Sequence, residues 1–300
     1  MLVQEFHMDL FNDLNSLLQA EATHRGFTLN GVESVEDLLH MLIQHEKKLI
    51  SSRPRQVHES REFQSKLQGL TIAQQNAYST IRKKLENGED VTGHLSRLIQ
   101  KQDFVDLLLA DWALHHIHLS DTKRNASDHF FDRSDQLAFA IVFPAQAVFV
   151  DIRPHSEQLV FARRELLEII HANWPELLEP YRLRGVIDVA YNADDEAIAM
   201  LRKGGVNTIL KIGDAVYAPP GGGLTSAGTS LSVGMEADRF MFYIKDLESG
   251  IKEREADLRA QISETHGIPP DELEFKLFND GGSFHVRETK TNTVVAPKED

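Results

Sequence analysis

One stretch constrains the fold more than any other: Asp111 to Ser156, which reads DWALHHIHLSDTKRNASDHFFDRSDQLAFAIVFPAQAVFVDIRPHS. It predicts three successive β-strands. Trp112–Leu119 alternates, placing Leu114, His116 and His118 on one face and His115, Ile117 and Leu119 on the other. Gln136–Phe143 is a near-continuous apolar run, as a central strand requires. Pro144-Ala145-Gln146 is a short turn, and Ala147–Ile152 follows as a strand that delivers Arg153 and His155 just past its end. Five of the 14 histidines of the chain fall inside this stretch.

Helical patterns dominate on its N-terminal side. Residues 4–25 repeat Phe6, Leu10, Leu14, Leu17 and Leu18 at helical spacing. Ser34 and Asp37 make a capping box for a second helix, expected to run to about Leu49. Pro54 breaks the basic linker Ser51–Arg55, which reads as a solvated loop. Further helices are expected over Ala73–Glu86, stopped by Asn87-Gly88, and over Thr92–Gln100. Beyond the stretch, Leu159–Asn173 is expected to be helical. Strands are expected at Val186–Tyr191, Val206–Ile212, Ala215–Ala218 and Phe240–Ile244, and helices at Asp194–Lys203 and Asp246–His266. Asn279-Asp280-Gly281-Gly282 between Phe275–Phe278 and Ser283–Arg287 is a hairpin signal. The expected class is α+β, in three parts: a helical N-terminal unit over 1–110, a central antiparallel β-sheet core with its helix over 111–180, and an α+β domain over 181–300.

Composition narrows the chemistry. With no cysteine, disulfides, thiolate catalysis and Cys-ligated zinc are excluded. A net charge of −14 argues against broad gripping of duplex DNA, although a small local basic site is compatible with it. The N-terminus shows no basic segment followed by an apolar run, and no apolar run approaches the roughly 20 residues of a membrane helix. A cytoplasmic protein with no membrane association is expected.

His116 and His118 form an H-x-H pair on one strand face. Zinc would need a third ligand, from Asp111, Asp151 or His155. Alternatively both are ordinary strand histidines. A third reading needs no metal or other cofactor. RNA carries its own nucleophile, the 2′-OH. Its cleavage requires a base, an acid for the leaving 5′-oxygen, and a cation on the phosphate. His116, His118 and His155 supply imidazoles near neutral pKa, and Arg133 and Arg153 supply guanidinium forks, with Lys123 and Arg124 in the intervening basic loop. The glycine-rich Pro219–Gly223 lacks the lysine of a phosphate-binding P-loop and reads as a turn.

The order HHIHL, then RSDQLAFAIV, then AVFVDIRPH resembles the sheet of the RelE/HigB-type ribonuclease toxins, over residues 111–156 only. The resemblance implies metal-free RNA cleavage by basic, histidine and aromatic side chains on one sheet face. His116, His118, Arg133, Arg153 and His155 would be the matching positions. Those toxins are small and basic, and this chain is long and acidic. Two alternatives therefore stand beside that reading: a non-enzymatic interaction or regulatory protein on a toxin-like scaffold, with a protein partner in place of RNA, and a zinc-dependent hydrolase.

Overall fold

The computed structural model describes residues 8–31 and 33–295. The class is α+β. The chain forms two compact units, one of Gln44–Val233 and one of the described parts of Met1–Ile43 and Gly234–Asp300. The breaks thus fall at 43/44 and 233/234, where the sequence suggested 110/111 and 180/181. Periodicity marks the apolar face of a helix but not what covers it. Leu10, Leu14 and Leu18 of the helix Leu10–His24 bury against Ile244, Phe275, Leu277 and Val286, far along the chain. The Asp13 carboxylate accepts from the Leu277 N–H at 3.0 Å.

The Gln44–Val233 unit is built on a four-stranded mixed sheet. Its strands are β1 (Gln56–Glu59), β2 (Leu114–His118), β3 (Gln136–Val142) and β4 (Gln146–Pro154), in the order β1-β4-β3-β2. β2–β3 and β3–β4 are antiparallel, as expected, but β1 joins β4 in parallel. So the central sheet is mixed, and it takes a strand from the segment expected to be wholly helical. QVHE carries one apolar strand former, Val57, too little to announce a strand. The edge of β4 recruits it, and Ser60 fastens it: the Ser60 hydroxyl donates to the Val150 carbonyl at 2.5 Å. The same oxygen accepts from Phe63 N–H at 2.8 Å as the cap of helix Arg61–Gln68.

Both faces of the sheet are covered. On one, Phe63, Tyr78, Ile81 and Leu85 meet Ala138, Ala140 and Phe149. Tyr78, Ile81 and Leu85 come from helix Ile72–Asn87. Thr71 and Gln74 cap that helix with a reciprocal box, and it ends at Gly88 in the left-handed region (φ 77°). On the other face, Leu166, Leu167 and Ile170 of helix Glu165–Asn173 pack on Leu137, Phe139 and Val150, with Trp112 and Ile198.

Several elements differ from expectation. Thr92–Gln100 forms two short 3-10 turns, Thr92–His94 and Arg97–Gln100. Residues 186–191 form no strand, and only β5 (Leu210–Ile212) and β6 (Ala215–Tyr217) pair, around Gly213. Phe240–Ile244 lies within the long helix Leu231–Lys252. Ala237, Ile244, Leu247 and Ile251 bury at helical spacing there and override the β-prone FMFYI. The second helix, Glu255–His266, is separate. β7 (Phe275–Asp280) and β8 (Ser283–Glu288) make the expected hairpin, and β9 (Val294–Val295) adds a strand to it.

Pro219–Gly223 is a structural turn. Gly221 N–H donates to Asp111 O at 2.8 Å and Gly223 N–H to Ala110 O at 3.0 Å, so the loop caps the helix Leu107–Trp112. A Cβ on Gly221 would sit 2.4 Å from Ala110 O. Backbone approach this close is what demands glycine here.

Candidate active site

The β2–β3–β4 register sets the site. His118 pairs with Leu137 and His116 with Phe139, while Ile117 pairs with Ala138 on the opposite face. His116 and His118 therefore share the face that also carries Leu137 and Phe139, and His115 points the other way, as alternation predicts. His155 follows β4 and is anchored through its N–H to Asp135 O at 2.7 Å. Its ring stacks near-parallel on His118, centroids 5.8 Å apart. The His116 and His118 centroids are 6.4 Å apart, edge to face.

All three imidazoles line one cavity of about 660 Å³, together with Arg133. That volume suits a ligand of nucleotide size. Much of the remaining wall is apolar, including Phe104, Leu107, Val160 and Phe161. Phe161 touches both ends of the histidine row, 4.9 Å from His116 and 6.2 Å from His155 between centroids. It belongs to a segment expected to be helical. Instead the helix starts only at Glu165, and Leu159, on the cavity lip, takes φ 57°. A leucine held in the left-handed region stores local strain, a state that packed surroundings must enforce.

Asp106 does two things. Its Oδ1 accepts from Leu108 and Leu109 N–H at 3.1 Å, capping helix Leu107–Trp112. Its Oδ2 lies 3.5 Å from His116 Nδ1. Burial lowers the His116 pKa, and the Asp106 carboxylate opposes part of that shift. Burial also pushes the His118 imidazole down to about 4, helped by His116, His155 and Arg133 and opposed by a hydrogen bond to the Ser134 backbone. His118 is therefore neutral at pH 7, able to accept a proton rather than give one.

No protein-family model, curated protein or solved structure matches this chain.

The remaining sequence candidates divide. Arg133 is exposed, borders the cavity and has no carboxylate partner among the described residues. Arg153 does not reach the cavity. Its Nε lies 2.8 Å from Asp151, Nη1 2.9 Å from Glu157 and Nη2 2.5 Å from Glu165. The phosphate role expected for it is withdrawn, because three carboxylates already occupy its fork. Lys123 lies over the Phe131 ring at 4.9 Å, and Arg124 is exposed; neither borders the cavity.

Of the three third ligands expected for zinc, the two aspartates are engaged elsewhere. Asp111 is paired with Arg202, and Asp151 lies 2.7 Å from Lys66 Nζ as well as beside Arg153. Among the described residues, no group of three His, Asp or Glu is arranged to hold a metal ion. No described helix is long and apolar enough to cross a membrane.

Sequence reasoning missed Asp106, Phe161, Glu157 and Arg202. Asp106 was findable, as an N-cap type directly before the apolar LLLADW. The others were not, since nothing local marks a side chain that lines a cavity built from distant segments. Arg202 is 5 % exposed, bonded to Asp111, and it donates through Nη1 to the Phe161 carbonyl. It holds in place the turn that carries the aromatic wall.

Proposed function

We propose that this cavity cleaves single-stranded RNA without a metal. The observation that carries the reading is the convergence of three imidazoles and one unpaired arginine on a nucleotide-sized cavity with an aromatic wall. His118, neutral and buried, takes the proton of the 2′-OH. The 2′-oxygen then bonds to phosphorus and the P–O5′ bond breaks, leaving a 2′,3′-cyclic phosphate. His155, partly open to solvent, gives a proton to the departing 5′-oxygen. Arg133 holds the non-bridging phosphate oxygens, and a base packs on Phe161. His116, facing Asp106, positions His118 and is the second candidate base. The RelE/HigB-type resemblance implies the same chemistry, here with Arg133 as its one arginine. Among the described residues Arg133 is the one cation lining this cavity without a carboxylate partner, so binding is weak and depends only shallowly on salt.

The test is cleavage of a labelled RNA oligonucleotide in EDTA. Wild-type protein cleaves it to a 2′,3′-cyclic end, and His118→Ala and His155→Ala lower the rate by roughly 10²–10⁴. No cleavage by folded wild type, or rates in both variants equal to that of wild type, overturns the reading.

The interaction-protein reading rests on a different observation. Val186, Ile187, Tyr191, Met200, Val206 and Ile209 are exposed within one segment, Ile187 by 83 %. Apolar exposure of that density marks partner surfaces. Folded wild type inert toward RNA would favour it.

A further inference from the structure

A second cavity lies in the same unit, on the other side of β2. It encloses about 450 Å³, and its charged and titratable lining is Lys47, Arg53, Arg55 and His115. Among the described residues, no aspartate or glutamate lines it. In a chain with 46 acidic and 32 basic residues that bias is local and needs a cause.

Arg55 is the most buried of these cations. It is 6 % exposed, yet the acceptors of its guanidinium are all neutral oxygens. Nε donates to Phe143 O at 2.8 Å, and Nη1 to Ser51 O at 2.7 Å and Arg53 O at 3.0 Å. Nη2 donates to Ser51 Oγ at 2.9 Å. A guanidinium has five N–H groups, so one on Nη2 remains. Carbonyls satisfy hydrogen bonds but do not cancel charge, and a buried cation without a counter-ion is costly. Burial lowers the Arg55 pKa, as that cost implies, with Arg53 adding to it. Arg53 itself is exposed at the rim.

The rest of the wall includes Leu49, Phe143 and Pro220. A bare inorganic anion would leave that apolar surface uncovered. The Gly221 and Gly223 amides cap the helix and the Gly222 amide closes the turn on Pro219 O, so side chains rather than a glycine loop must hold the charge.

We propose that this cavity binds an organic phosphate, with the phosphate on Arg55 Nη2 and Arg53 and the organic group against Leu49 and Phe143. This site is separate from the histidine cavity. Consecutive residues of β2 serve the two: His115 here, His116 and His118 there.

The probes are phenyl phosphate and benzyl phosphate, neither of them a nucleotide, titrated into the full chain by calorimetry at low ionic strength. At least one binds wild type saturably at one site. Arg53→Glu weakens that binding tenfold or more, and because Arg53 is exposed the variant keeps its fold. Arg133→Ala, in the other cavity, changes it less than twofold. Failure of both probes to bind wild type overturns the proposal, as does binding retained by Arg53→Glu or binding lost in Arg133→Ala. RNA cleavage is read separately, so either proposal can fail alone.

Discussion

Replacing Asp111 with alanine should be among the most damaging single changes in the Gln44–Val233 unit. The Asp111 side chain is 3 % exposed and that of Arg202 5 %. Asp111 Oδ2 accepts from Arg202 Nε at 2.8 Å and lies 2.7 Å from Nη2. The guanidinium also stacks over Trp112, 4.4 Å from the ring centroid. Without the carboxylate it stays buried, with the Phe161 carbonyl and an aromatic face as its remaining partners. Breaking one half of such a pair costs about 3–5 kcal/mol, because the stranded charge cannot reach water. Arg202→Met in the same background removes that stranded charge and recovers part of the loss, giving a coupling energy of roughly 2–3 kcal/mol. Urea unfolding followed by tryptophan fluorescence reads this directly. Both tryptophans, Trp112 and Trp174, lie in this unit, so unfolding of the other unit does not enter the signal. A loss below about 1 kcal/mol for Asp111→Ala, or strict additivity of the two variants, would refute the account.

Three further outcomes follow from the same geometry. Asp106→Ser keeps an N-cap side chain but removes the charge beside His116, so stability should change by less than about 0.5 kcal/mol while RNA cleavage falls tenfold or more; equal losses of both would show that Asp106 is only a cap. Arg153→Met removes the cation shared by Asp151, Glu157 and Glu165, of which Asp151 keeps Lys66 and Glu157 keeps Arg163, and should cost about 1–3 kcal/mol, yet leave cleavage per folded molecule unchanged; a selective loss of rate would return Arg153 to the site. His94 and His118 are both held neutral by burial, with pKa values lowered from 6.5 to about 4. Their folded pKa values are depressed, so this stability is complete above about pH 6.5 and drains away toward pH 4, by roughly 3 kcal/mol for each ring. The urea midpoint should drop steeply from pH 7 to 4.5, and less steeply in His94→Phe; an unchanged midpoint in wild type would show that the rings are not buried.

Much of the sheet was legible because β2, β3 and β4 are consecutive and connected by polar or turn residues. Period-two alternation then separated His116 and His118 from His115 without any tertiary information. β1 was not legible: four residues with one strand former carry no periodic signal, and only the open edge of β4 makes them a strand. Phe240–Ile244 misled for the opposite reason. Its local β preference is strong, but burial of Ala237, Ile244, Leu247 and Ile251 extends over four turns and outweighs it.

The candidate site divides along the same line. The sequence by itself determined which strand face carries the imidazoles, that cysteine chemistry is absent, and that His155 leaves the end of β4. Those follow from composition and from backbone geometry, which is local. Only the tertiary structure decided which charges remain free. Arg133 and Arg153 look alike as residues, but three carboxylates from separate turns of the chain close around Arg153 and, among the described residues, none around Arg133. Counter-charge is a property of space rather than of sequence distance, so the availability of an arginine for a phosphate cannot be read until the chain has folded.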